Sequence, residues 1–141
     1  MPEHDLAVCL LANGDVQGLL RDQFVSGVLD DMLGISRPSL PAPVTEPVDP
    51  SPFLGSYRRS EQISIDVRAS GDALVAAFVT SGEVATHIPS FTTPLTYAGG
   101  TTFLLTLPPM TERIAATFLY EDDDAGSASH LALGTRVAPR V

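Results

Sequence analysis

Apolar positions along this chain follow three different rhythms. From residue 6 to 11 they run without a break, as Leu6-Ala7-Val8-Cys9-Leu10-Leu11. Such a run predicts a short strand buried on both faces. Ala12-Asn13-Gly14-Asp15 follows as a turn, with Asp15 ready to cap a helix. Val16, Leu19, Leu20, Phe24, Val28, Met32 and Leu33 then recur at helical steps, and Val25 and Leu29 widen the stripe. The spacing predicts a helix over residues 15–33 that buries much of its circumference. Gly34 is a natural stop, and Pro38 prevents resumption.

Residues 37–52 hold Pro38, Pro41, Pro43, Pro47, Pro50 and Pro52. Proline fixes φ and donates no hydrogen bond, so an extended, semi-stiff linker is expected between two folded parts. Beyond it the rhythm changes to period two. Gln62-Ile63-Ser64-Ile65-Asp66-Val67-Arg68 alternates strictly between polar and apolar, the mark of a half-buried antiparallel strand. Turn residues recur at Ser70-Gly71-Asp72, Ser81-Gly82-Glu83, Gly99-Gly100, Pro108-Pro109 and from Asp122 to Gly126. They separate strand-like runs at 54–59, 62–69, 73–80, 83–89, 91–97, 101–107, 112–120 and 128–137. Eight short strands at regular spacing predict a mainly β domain over residues 53–141, an antiparallel meander closed into a barrel. Closure is favoured because residues 73–79 are apolar on both faces and would make a poor exposed edge.

Composition narrows the functional classes. The 141 residues are 44% hydrophobic and carry a formal net charge of −9, with every basic residue an arginine. That balance lacks the basic footprint of a nucleic-acid binder and disfavours an anionic membrane surface. The single cysteine, Cys9, excludes an internal disulfide and a multi-thiolate zinc site, and is expected to be a small buried hydrophobe. Glu3, His4 and Asp5 precede the first apolar run where a signal peptide needs positive charge, so the cytoplasm is the default compartment.

Candidate chemistry is sparse. Without lysine the chain cannot supply a Ser-x-x-Lys nucleophile, and it contains neither a nucleophile elbow nor a phosphate loop. His4, His87 and His130 are far apart, and the last two are expected in strands as hydrogen-bonded or surface residues. Glu121-Asp122-Asp123-Asp124 lacks the ligand spacing of a calcium loop and is expected to be a solvated turn. No metal or cofactor is expected. Phe78, Phe103 and Phe118 fall at strand centres, where they either line a cavity for a small apolar ligand or fill the barrel; filling is favoured in so small a barrel.

Met1-Pro2-Glu3-His4-Asp5-Leu6-Ala7-Val8-Cys9-Leu10-Leu11-Ala12-Asn13-Gly14 resembles a late segment of the serine β-lactamase-related hydrolases, the group of class C β-lactamases and penicillin-binding proteins. There a hydrophobic-Pro-Glu-x-x-Leu segment leads into a strand ending in Leu-x-Asn and then into the last helix. Pro52-Phe53-Leu54-Gly55-Ser56-Tyr57 is similar to the opening Gly-x-Tyr strand of that family's lipocalin-like accessory barrel, and Leu133-Gly134-Thr135-Arg136-Val137 to its closing strand. The resemblance implies a C-terminal portion of such a hydrolase: residues 1–36 a strand–helix remnant of the catalytic domain, 37–52 the linker, 53–141 the barrel. The family's Ser-x-x-Lys, Tyr-x-Asn and Lys/His-x-Gly elements match nothing here, so the chain is expected to be catalytically silent. It would shape an active-site mouth or support assembly. Its partners would be a second copy, paired through residues 5–33, or the missing catalytic domain. The alternative is a free-standing barrel binding a small apolar ligand.

Overall fold

The computed structural model describes residues 7–11, 19–36, 39–71, 73–122, 126–134 and 136–141. They form two compact units, residues 1–39 and residues 40–141.

The first unit contains α1 (Leu19–Leu33). Its end is set by Gly34, whose φ of 64° lets the chain leave the helix in a left-handed conformation. There the Gly34 N–H donates to the Asp30 carbonyl at 2.9 Å and the Ile35 N–H to the Leu29 carbonyl at 3.1 Å. The Ser36 hydroxyl returns to the Asp30 carboxylate at 2.8 Å. The strand expected over residues 6–11 is not formed in its described part, residues 7–11. Residues 7–11 are irregular and mostly exposed, and Cys9 is exposed as well, not buried. A run apolar on both faces needs neighbouring strands and covering helices, and among the described residues it has none. Leu6, the turn at Asn13-Gly14, the Asp15 cap and Val16 lie outside the described residues, as does Pro38.

The second unit is an eight-stranded antiparallel sheet in simple sequence order, from β1 to β8. The strands are β1 (Gly55–Ser60), β2 (Ile63–Ser70), β3 (Ala73–Thr80), β4 (Phe91–Tyr97), β5 (Thr102–Thr106), β6 (Arg113–Leu119), β7 (His130–Leu133) and β8 (Arg136–Pro139). A Tyr57–Arg140 bridge and the Val141 N–H, which donates to the Ser56 carbonyl at 2.9 Å, bring β8 back beside β1 and close the barrel. Register follows the apolar alternation. Ile65 and Val67 on β2 share the interior with Leu74, Ala76 and Phe78 on β3, and Phe103 opposes Ala116 where Leu105 opposes Ile114. The doubly apolar β3 sits inside the sheet, paired along its length with β2 and over five residues with β4. The β4–β5 ladder is short, Thr96–Leu104 and Tyr97–Phe103, and starts only after Pro94, which has no N–H to donate.

Two runs differ from the sequence reading. Residues 83–89 are not a strand: Gly82–His87 form a helical turn, α2, with no buried residue. The loop is tied locally instead, by the Thr80 hydroxyl donating to the Ile88 carbonyl at 2.7 Å and the Thr80 N–H to the Ser90 hydroxyl at 3.0 Å. Val84, Thr86 and Ile88 suit a strand, but among the described residues no partner strand lies beside them, and β propensity has little force without one. The run at 128–137 is two strands, β7 and β8, turned at Gly134 with φ 58°. The count of eight therefore stands on a different division of the chain.

The proline-rich stretch from residue 40 onward belongs to the barrel unit. The Val44 N–H donates to the Tyr97 carbonyl at 2.8 Å, Val48 packs against the core, and a short 3-10 turn at Ser51–Phe53 buries Phe53. Among the described residues no helix is long and apolar enough to cross a membrane.

Candidate functional site

Aromatic rings line the barrel interior. Of the three sequence-predicted rings the structure brings two together. Phe103 and Phe118 meet edge-on with centroids 5.5 Å apart. Phe53, from outside the strands, contacts both, at 5.0 and 4.9 Å. Tyr57 packs on Phe118 and Tyr97 on Phe103. Phe78 stands apart, stacked on Phe91 at 4.6 Å. The edge-on arrangement suits the ring quadrupoles, and it fills the interior at the Phe103 level.

The Gly-x-Tyr segment has a structural cause. Tyr57 is fully buried and its hydroxyl donates to the Phe53 carbonyl at 2.8 Å, which satisfies its polar end. Burial pushes its phenol up to about 12. Gly55 has φ 148°, a conformation closed to most side chains, and the Arg140 guanidinium lies over it, so that a Cβ would sit 2.9 Å from Nε. Arg140 Nη1 also donates to the Ala128 carbonyl at 3.3 Å. This seam fastens the chain terminus to β1.

The other candidates stay apart. His87 ends α2, while His130 opens β7 with Nδ1 2.9 Å from the Ser129 hydroxyl. That hydroxyl contacts the Leu119 carbonyl at 3.1 Å, and no carboxylate orients the pair among the described residues, so it lacks the relay of a nucleophilic site. Part of the acidic run, Asp123 and Asp124, lies outside the described residues, as does His4. Among the described residues no cluster of metal-ligating side chains occurs. A polar cleft of about 320 Å³ sits beside the β1–β2 turn, lined by Arg58, Glu61, Gln62, Ser64 and Ser81 among others.

The barrel end that carries the β1–β2 and β7–β8 turns holds a feature that motif reading missed. Tyr57 and Ala138 point inward on β1 and β8. Arg59 and Arg136, each two residues further toward that end, share the same interior phase while remaining solvent-exposed. Arg59 lies at a break in the β1–β2 register, between Arg58 and Ser60, and such bulges re-aim side chains. Burial and then the positive charge of Arg136 hold its guanidinium below its ordinary value. At the same end of the barrel, Leu107 just past β5 and Ile114 on β6 are half-buried apolar side chains in the interior phase, packed on the core. The signal was present in the strand phase, but it required knowing that β8 returns beside β1.

No protein-family model matches the chain, and no curated protein matches it. Solved structures do. A crystal structure of SurE with D-Leu aligns with TM-score 0.58 at 18% identity, over 88% of this chain and 28% of that one. A crystal structure of SurE aligns with TM-score 0.57 at 18% identity, over 85% of this chain and 26% of that one. At this identity the likeness is one of fold, and the chain spans little more than a quarter of the SurE chain. The expected membership of the serine β-lactamase-related hydrolases does not stand. No family model or curated protein supports it, two of the matching structures are of SurE, and the described part of the segment that carried the resemblance, residues 7–11, forms no strand. The chain is a small eight-stranded antiparallel barrel domain joined to a helical unit, with the fold similarity of SurE.

Proposed function

We propose that this chain is an accessory barrel module, catalytically silent by itself, whose helical unit docks on a larger protein body. The observation that carries the reading is the state of α1. Phe24, Val25 and Met32 are exposed, and no residue of that unit with a described side chain is buried. A 15-residue helix is marginal in water without an apolar face packed on something. Cover for it is therefore expected from a body outside this chain. The fold likeness supports the same reading: the 88% coverage exceeds what residues 40–141 supply, so the match extends into the helical unit, and it occupies only 28% of a longer chain. The aromatic packing of the interior weighs against the alternative of an apolar ligand held at the level of Phe103 and Phe118.

Hydrogen exchange with light scattering tests the proposal. On the monomeric chain, the amides of α1 should exchange within seconds while those of β2, β3 and β6 stay protected. Protected α1 amides in a monomer would mean that the chain covers its own helix. A concentration-dependent dimer, abolished in a chain beginning at Leu40, would assign the cover to a second copy. Either result overturns docking on a larger body.

A further inference from the structure

Arg59 and Arg136 belong to the barrel unit, not to the helical one, and their chemistry points to a ligand. Arg59 and Arg136 stand in the interior phase of β1 and β8, the two strands that close the barrel. Neither contributes to the apolar core. Bringing two like charges together at a partly desolvated position is unfavourable, and a chain with a formal net charge of −9 has ample carboxylates to spend there. Yet the charge acting on Arg59 among the described residues is that of Arg136, a like one. The bulge between Arg58 and Ser60 reinforces the point, since it turns a residue of the last β1 turn away from regular pairing. The interior rim at this end is apolar: Leu133 faces Arg136 across the β7–β8 ladder, and across the mouth Leu107, just past β5, and Ile114 on β6 are half-buried.

We propose that this mouth binds a small amphipathic carboxylate, its head between Arg59 and Arg136 and its apolar tail over Leu107 and Ile114. A guanidinium presents a planar fork that matches a carboxylate with two parallel hydrogen bonds. One carboxylate between two guanidinium groups relieves their repulsion, and a short aliphatic tail covers the half-buried rim. An inorganic dianion would meet the same charges but leave the rim bare and lose more hydration on entering.

The experiment titrates the full chain with hexanoate, hexanol and inorganic phosphate, following arginine Nε–Hε and isoleucine methyl resonances. Hexanoate should shift the Arg59 and Arg136 signals and the Ile114 methyl together with one saturation curve, and 0.5 M sodium chloride should weaken it. The Arg59→Gln/Arg136→Gln variant should bind hexanoate at least tenfold more weakly. Both arginines are exposed, so the variant should retain the wild-type melting temperature. If it does not fold, Arg59→Lys/Arg136→Lys, which keeps the charge but not the fork, should still weaken binding. Three results overturn the proposal: no saturable shift with hexanoate, equal binding of hexanol that resists salt, or phosphate binding as tightly as hexanoate.

Discussion

Replacing Phe118 by alanine tests the account of the core most directly. The ring is 1% exposed, and it touches three others: Phe53 at 4.9 Å, Phe103 at 5.5 Å and Tyr57 at 5.6 Å. Deleting a buried phenylalanine ring removes its transfer free energy and leaves a cavity that surrounding side chains only partly close, at a cost of about 3–5 kcal/mol. Phe118 should lie in the upper half of that range, because its neighbours are held by the closing strand and by the 3-10 turn and cannot collapse inward. Phe78 is 6% exposed and meets one ring, Phe91, which is itself only half-buried. Its replacement should cost about 3 kcal/mol, the low end for a buried aromatic ring. In a domain of this size each kcal/mol lowers the melting temperature by roughly 4–8 °C, so Phe118→Ala should lose more than about 15 °C. Urea unfolding followed by circular dichroism gives the free energies, with the m-value unchanged if only the native state is affected. A double-mutant cycle of Phe103→Ala with Phe118→Ala should show a coupling of about 0.5–1.5 kcal/mol for the edge-on pair. A loss below about 1 kcal/mol for Phe118→Ala, or a larger loss for Phe78→Ala, would refute an interior centred on the Phe53–Phe103–Phe118 cluster.

Gly55→Ala should destabilise the barrel by about 1–3 kcal/mol, the cost of forcing a side chain into a closed backbone region. Arg140→Ala should not restore it, because the flexible guanidinium can move from the Cβ while the φ of 148° cannot; thermal melts of the single and double variants check this. Tyr57 should titrate near pH 12 by absorbance at 295 nm. Because burial raises its folded value above the ordinary 10.0, the stability it contributes is complete below pH 10 and lost as pH rises from 10 to 12, and Tyr57→Phe should abolish that loss. A chain beginning at Leu40 should be more stable than one beginning at Ser51 by about 1–3 kcal/mol, through the Val44 hydrogen bond and the Val48 contact. Equal urea midpoints for the two would show that the proline-rich stretch adds nothing to the barrel.

Period-two alternation was enough to read most of the barrel, because a strand half buried against a core must write its two faces into the sequence. Ile63 to Val67 carried that signal in full, Phe103, Leu105 and Leu107 with Ile114, Ala116 and Phe118 carried its inward face, and the apolar faces of residues 73–79 announced a strand without a free edge. Where local pattern had no tertiary partner it misled. Val84, Thr86 and Ile88 are strand formers with no neighbouring strand among the described residues, and the ties from Thr80 to Ile88 and Ser90 hold a helical turn there instead. Residues 7–11 are apolar enough for a buried strand, yet nothing among the described residues covers them. The linker's prolines told of extended chain, but not that Val44 would bond to Tyr97 or that Phe53 would join the core, since those contacts link residues about fifty apart. Arg59 and Arg136 were simply two arginines in the sequence. Only closure of β8 against β1 brings them into one mouth, because strand phase is a local property and the pairing of chain ends is not.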